Sequence, residues 1–203
     1  MPLSAFFRNL GLFVRTDFFD DATRVRIRGE MWAADSEKGL IFRGRLEAEV
    51  LDETRRKVLV STHLEKDIKA RVKDQILALK PSLEEHFGIS LQDMEKPVFL
   101  RYGEAAFYKP HTDTNPDDPP ERLRRRISVV IFLNEAAKEP AENCYGGGSL
   151  TFYGLLDGPE WEKCVLPLEA EPGLLIAFRS EMLHEVQPVT FGERFTIVTW
   201  FLS

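Results

Sequence analysis

From residue 98 onward the apolar residues come in short β-rich runs, at 98–102, 127–133, 149–153, 164–168, 174–178, 185–189 and 195–202, separated by Pro and Gly. Runs this short are stable only side by side in larger sheets, so seven of them predict an all-β sandwich or jelly-roll barrel. Helical spacing belongs to the first half. Phe18, Ala22, Val25 and Trp32 suggest an amphipathic helix over 17–33, capped by Asp17 or Asp20. Leu64, Ile68, Val72, Ile76 and Leu79 mark a second helix, which Pro81 breaks or kinks, and a short third helix at 83–87 runs to Gly88. Between them lie strand-like pieces at 40–42, 46–51 and 58–60, with a charged turn at 52–57. No flexible linker divides the halves, and the helical part is small for a core of its own. The expectation is one domain over 1–203: a support region of helices and short strands (1–94) and a β core (95–203), the helices buttressing one face.

Charge and cysteine usage exclude several functions. A formal net charge of −6 argues against a phosphate-backbone binder, so no nucleic-acid partner is expected. The apolar start, with Phe6, Phe7, Leu10, Leu12 and Phe13, is interrupted by Arg8 and Asn9, and no small-residue cleavage pattern follows; it reads as part of the fold. No segment approaches the roughly 18 uninterrupted apolar residues of a membrane span. Cys144 and Cys164 form no CxxC pair and read as two reduced thiols, which makes the cytoplasm the expected compartment. No heptad seam sets an oligomeric state.

His111-Thr112-Asp113 is the pair that brings chemistry to this frame. On a strand, residues i and i+2 share a face, so an imidazole and a carboxylate so spaced can grip one metal ion. Of the other histidines, His63 opens the long helix and His86 stands near the end of the third, where the helix dipole favours an imidazolium. That leaves His184, between two predicted strands. Two His and one carboxylate leave three octahedral positions open, which suits Fe(II) and oxygen chemistry. Arg194 and Thr196 lie on one face of a returning strand. They can hold a carboxylate through a guanidinium fork and a hydroxyl, or be a surface ion pair and an ordinary strand threonine.

Tyr102, His111-x-Asp113, Gly147-Gly148 and His184-Glu185-Val186-Gln187-Pro188-Val189 followed by Arg194 occur in that order over roughly 97–203. In this the chain resembles the Fe(II)- and 2-oxoglutarate-dependent dioxygenases of the prolyl 4-hydroxylase type. The resemblance implies a mainly β fold, the double-stranded β-helix or jelly roll buttressed by N-terminal α-helices. It implies Fe(II) held by His111, Asp113 and His184, and 2-oxoglutarate anchored by Arg194 with Thr196 and Tyr102 as helpers through their hydroxyls. Tyr108 is a candidate for the pocket wall or a packed strand aromatic. O2 would be consumed, succinate and carbon dioxide formed and a C–H bond hydroxylated, with ascorbate as a candidate reductant. Asp113 favours hydroxylation over halogenation, because related halogenases have a small residue there. Arg194 replaces the Lys of animal collagen-modifying members, and Trp200 stands where relatives that demethylate nucleic acid carry a second Arg. Peptidyl proline is the leading substrate, ahead of a free amino acid or other small metabolite, with a non-catalytic binding or sensing module as the alternative from another class. The loop 114–126 is either solvated or a substrate gate, and 139–148 is a second flexible candidate.

Overall fold

The computed structural model describes residues 3–43, 48–156, 165–168 and 170–203. Cys164 and the start of the 46–51 run lie outside them. Two sheets face each other. The larger has the order Phe13–Arg15, Leu175–Arg179, Arg125–Phe132, Arg194–Leu202, Val98–Tyr102, Leu59–Ser61 and Ser36–Lys38. The smaller runs Val165–Leu168, Leu150–Tyr153, His184–Val186, Phe107–His111 and Arg56–Lys57. All pairings within both are antiparallel, and neighbours are mostly distant in sequence, which is a jelly-roll topology. A three-stranded ribbon of Glu135–Ala136, Cys144–Gly147 and Val189–Gly192 joins one end.

The central strands of the larger sheet are apolar throughout because both faces are covered. On Arg125–Phe132, Ile127, Val129 and Ile131 pack against the helices with Ile27, Met31, Ile68, Val72 and Ile76. Val130 and Phe132 face the other way, toward Phe152, Phe178 and Val186 between the sheets. Arg194–Leu202 alternates likewise: Phe195, Ile197 and Phe201 join the helix-side core, leaving Arg194, Thr196, Val198 and Trp200 to line the interior cavity.

The helices occur where the spacing placed them, with corrections in detail. The first long helix is Asp21–Ala33, and Asp20 caps it by accepting from the Thr23 N–H at 2.7 Å. Its buried face is Ile27 and Met31; Val25 and Trp32 are exposed, Trp32 by 62%, so of the face inferred from Phe18, Ala22, Val25 and Trp32 only Phe18, which precedes the helix, is packed in the core. Both faces of that helix carry apolar residues, and periodicity alone does not say which meets the sheet. Lys66–Leu77 buries Ile68, Val72 and Ile76 as expected. Pro81 lies in the first turn of Lys80–Phe87, where its missing N–H costs nothing, and Gly88 closes that helix in the left-handed conformation at φ 64°.

The run 185–189 is two strands, His184–Val186 and Val189–Gly192, because Pro188 has no N–H for a ladder. N-terminal strands also contribute to both sheets, beyond the buttressing role expected of that half. Among the described residues no helix is long and apolar enough to cross a membrane.

Candidate metal and co-substrate site

His111 is the last residue of its strand and His184 the first of the neighbouring one, and the two are directly paired across the ladder. Asp113 lies beyond the strand end, so the two-residue strand geometry accounts for His111 but not for Asp113. The Asp113 N–H instead donates to the Ser180 carbonyl at 2.9 Å, which swings the carboxylate in beside the imidazoles. His111 Nε2 is 3.8 Å from Asp113 Oδ1 and His184 Nε2 is 3.7 Å from Oδ2. The three donor atoms lie within 4.8 Å of one another, and theirs is the one such His/Cys/Asp/Glu cluster among the described residues. His63 and His86 are elsewhere, the first 3.7 Å from Asp35, the second edge-on to Phe13 and Phe87.

Each imidazole is fixed from behind. Nδ1 of His111 is 2.9 Å from the Lys109 carbonyl, and Nδ1 of His184 is 2.9 Å from the Met182 carbonyl. A carbonyl can only accept, so both rings carry the proton on Nδ1 and turn a lone pair on Nε2 toward Asp113. The Ser128 hydroxyl donates to Asp113 Oδ2 at 2.6 Å and lies 3.0 Å from the Ser180 hydroxyl. Burial works against the Asp113 carboxylate, but His184, His111 and Ser128 outweigh it and hold its pKa at about 2. Burial, with His184 beside it, pulls the His111 imidazole down to about 3. At neutral pH these are the deprotonated forms a cation needs, so protons compete weakly for either group. A two-imidazole, one-carboxylate donor set suits Fe(II).

Arg194 is 1% exposed, and no carboxylate partners it among the described residues. One of its terminal nitrogens donates to the Thr196 hydroxyl at 3.3 Å, while Nε and the other terminal nitrogen have no partner. Its guanidinium carbon is 5.0 Å from the ring centres of both Tyr102 and Phe132. Tyr102 therefore meets Arg194 with its ring face. Tyr145, which the sequence reading missed, stands beside the same guanidinium; burial raises its phenol pKa against that neighbouring positive charge. A buried cation with free donors is costly unless an anion arrives, and that requirement fits the distal carboxylate of 2-oxoglutarate. One cavity of about 480 Å³ contains His111, Asp113, His184, Arg194, Thr196, Tyr102 and Tyr108 in its lining. Tyr108 lies flat on His111, with ring centres 3.5 Å apart and an interplanar angle of 15°.

The glycine segment is more than a flexible loop. Cys144–Gly147 is a strand whose last residue, Gly147, and its successor Gly148 stand at φ 66° and 61°. A Cβ on Gly148 would stand 3.0 Å from Arg194 Cδ and 3.1 Å from the Tyr145 ring. Gly148→Ala is expected to destabilise the fold by about 1–2 kcal/mol from the left-handed backbone alone. It should also weaken 2-oxoglutarate by displacing Arg194, which paired thermal melts with and without 2-oxoglutarate measure; an undiminished ligand-induced shift would remove the packing role assigned to this glycine.

The family model described as the 2OG-Fe(II) oxygenase superfamily matches residues 97–202. The chain belongs to that superfamily, whose chemistry employs Fe(II), 2-oxoglutarate and O2. It is 34% identical over 119 residues to a PKHD-type hydroxylase of Alteromonas mediterranea, a match covering 57% of this chain and 47% of the relative. A PKHD-type hydroxylase of Sphingopyxis alaskensis is 33% identical over 108 residues, covering 53% and 44%. The chain thus spans about half the length of the curated relatives it matches. Among solved structures, a prolyl-4-hydroxylase of Pseudomonas putida superposes with a TM-score of 0.71 at 24% identity over the full length of both chains. A prolyl hydroxylase of Trichoplax adhaerens, solved with a hypoxia inducible factor peptide fragment, gives 0.73 at 18% identity, covering 98% of this chain and 89% of that one. At these identities the structural likeness establishes the jelly-roll fold.

Proposed function

We propose that this chain is an Fe(II)- and 2-oxoglutarate-dependent hydroxylase acting on a prolyl C–H bond of a peptide. The observation that carries this reading is the single cavity reaching from the His111, Asp113 and His184 donors to the unpaired, buried guanidinium of Arg194. His111, Asp113 and His184 hold the iron, their donor atoms aimed by the Lys109 and Met182 carbonyls and the Ser128 hydroxyl. Arg194 receives the distal carboxylate of 2-oxoglutarate, Thr196 orients the fork, and Tyr102 and Phe132 shield it from water. When bound, iron and 2-oxoglutarate supply the activation of O2 that gives succinate, carbon dioxide and a hydroxylated C–H. Tyr108, flat on His111, walls the approach to the metal and limits where a target C–H can come to rest. Ascorbate serves as the reductant that keeps the iron ferrous. Cys144, a buried free thiol, agrees with a reducing compartment such as the cytoplasm.

Incubation with Fe(II), 2-oxoglutarate, O2 and a panel of proline-containing peptides is expected to give succinate, together with a peptide mass gain of one oxygen on proline. Succinate coupled to oxidation of a free amino acid alone would move the substrate to the small-metabolite class. If 2-oxoglutarate binds and succinate forms with no member of a broad peptide and metabolite panel, the non-catalytic binding reading replaces this one.

A further inference from the structure

A second cleft, of about 320 Å³, opens on the outer side of the metal donors. It shares Tyr108, His111, Ile41, Phe42 and Arg122 with the inner cavity, so these side chains form the wall between the two. Arg122 stands on the short helix Pro120–Leu123 inside the 114–126 loop, and its guanidinium carbon lies 5.3 Å from the Phe42 ring centre. Its Nε is buried without a hydrogen-bond partner; Asp118 Oδ2 is 3.6 Å away, too long for a hydrogen bond. Asp118 is itself held by the Asn115 N–H at 2.9 Å. Arg56 approaches from the other side, its guanidinium carbon 4.8 Å from the Tyr108 ring centre. It donates to the Leu40 carbonyl at 2.7 Å, and its Nε is likewise buried and unpartnered.

Of the other charges around this wall, Arg55 lines the outer cleft and is exposed. Arg125 makes a two-pronged pair with Glu95 at 2.6 and 2.8 Å, and Lys38 pairs with Glu53 at 3.0 Å. Glu37 and Glu49 are exposed at the rim of the inner cavity. Two guanidinium groups with donors to spare thus flank Tyr108 and Phe42, in a chain whose net charge is −6. Among the described residues neither guanidinium has a carboxylate within hydrogen-bond distance, and an anionic oxygen of a substrate entering the inner cavity would supply that partner.

We propose that the inner cavity selects substrates carrying a carboxylate near the C–H that is oxidised, received by Arg122 and Arg56, which both line it. This rests on the hydroxylase reading above and names its substrate class. The carboxylate is either the α-carboxylate of a small acid or the side chain of an acidic residue beside the target in a peptide.

Calorimetric titration of the protein loaded with Mn(II) and 2-oxoglutarate separates these sources without turnover. One pair of ligands is N-acetylproline and its amide; the other is a capped hexapeptide in which proline is followed by Glu or by Gln. In at least one pair the acid is expected to bind about tenfold or more tightly than its amide, and the pair that discriminates identifies the source. Arg122→Gln should erase the preference while the heat of 2-oxoglutarate binding, which also reports a folded site, is retained. Equal binding of acid and amide in both pairs, or no binding by any of the four below millimolar concentration, overturns the proposal. So does an acid preference that survives Arg122→Gln and Arg56→Gln. Failure of the wild-type protein to bind 2-oxoglutarate would instead bring down the hydroxylase reading, and this inference with it.

Discussion

His184→Ala is expected to abolish metal-dependent turnover, with a loss of at least about a thousandfold. Groups that only support a metal ligand are already worth roughly 10–100-fold, and His184 supplies one of just three donor atoms. The fold should survive. His184 pairs with His111 through backbone, and Phe178 and Phe152 flank its ring, so an alanine leaves the ladder intact and opens a small cavity beside them. The measurement is Mn(II) affinity by electron paramagnetic resonance alongside succinate formation. Retained metal binding and activity in this variant would remove His184 from the donor set.

Arg194→Met separates co-substrate binding from stability. Losing a forked, charge-assisted contact, at about 1.5–3 kcal/mol per hydrogen bond, should weaken 2-oxoglutarate by about a hundredfold or more. The ligand-free protein behaves in the opposite sense. Its Arg194 is a desolvated cation with two unpartnered nitrogens, and an apolar side chain of similar length relieves that cost, so the thermal midpoint without 2-oxoglutarate is expected to rise. The stabilisation that saturating 2-oxoglutarate gives the wild type, about 2.7 kcal/mol at a hundred times Kd, should disappear. A fall in the ligand-free midpoint with parallel loss of metal and 2-oxoglutarate would assign Arg194 to folding.

What the sequence made legible is what depends on spacing along one segment. The β-rich runs and the alternation that puts Arg194 and Thr196 on one face follow from local periodicity, whereas Asp113 reaches His111 through a backbone bond to Ser180 that no spacing shows. Contacts assembled across the fold were not legible. Ser128, Ser180 and Tyr145 support the site from three different strands or turns, and nothing in their neighbours distinguishes them from any other strand residue. No apolar run marks the strand Phe107–His111, because Lys109 and Pro110 break its pattern. Pro110 is tolerated there because the pairing with His184–Val186 is irregular at that point and Arg56–Lys57 reaches only Phe107 and Tyr108. The 114–126 loop could be read either as solvated or as a gate; its helix and the approach of Arg122 to Phe42 across the cleft arise only from tertiary placement.

The alternation on Arg194–Leu202 also constrains how the chain reaches its fold. This strand carries ladders on both sides, to Val98–Tyr102 and to Arg125–Phe132. A slip of one residue would exchange its two faces, driving the Arg194 guanidinium among Ile27, Ile76 and Ile131 and bringing Phe195 and Ile197 into the polar cavity. The misregistered sheet would bury a charge in hydrocarbon that no ligand can reach. The buried cation of Arg194 therefore disfavours the slipped register, whether or not a ligand is bound.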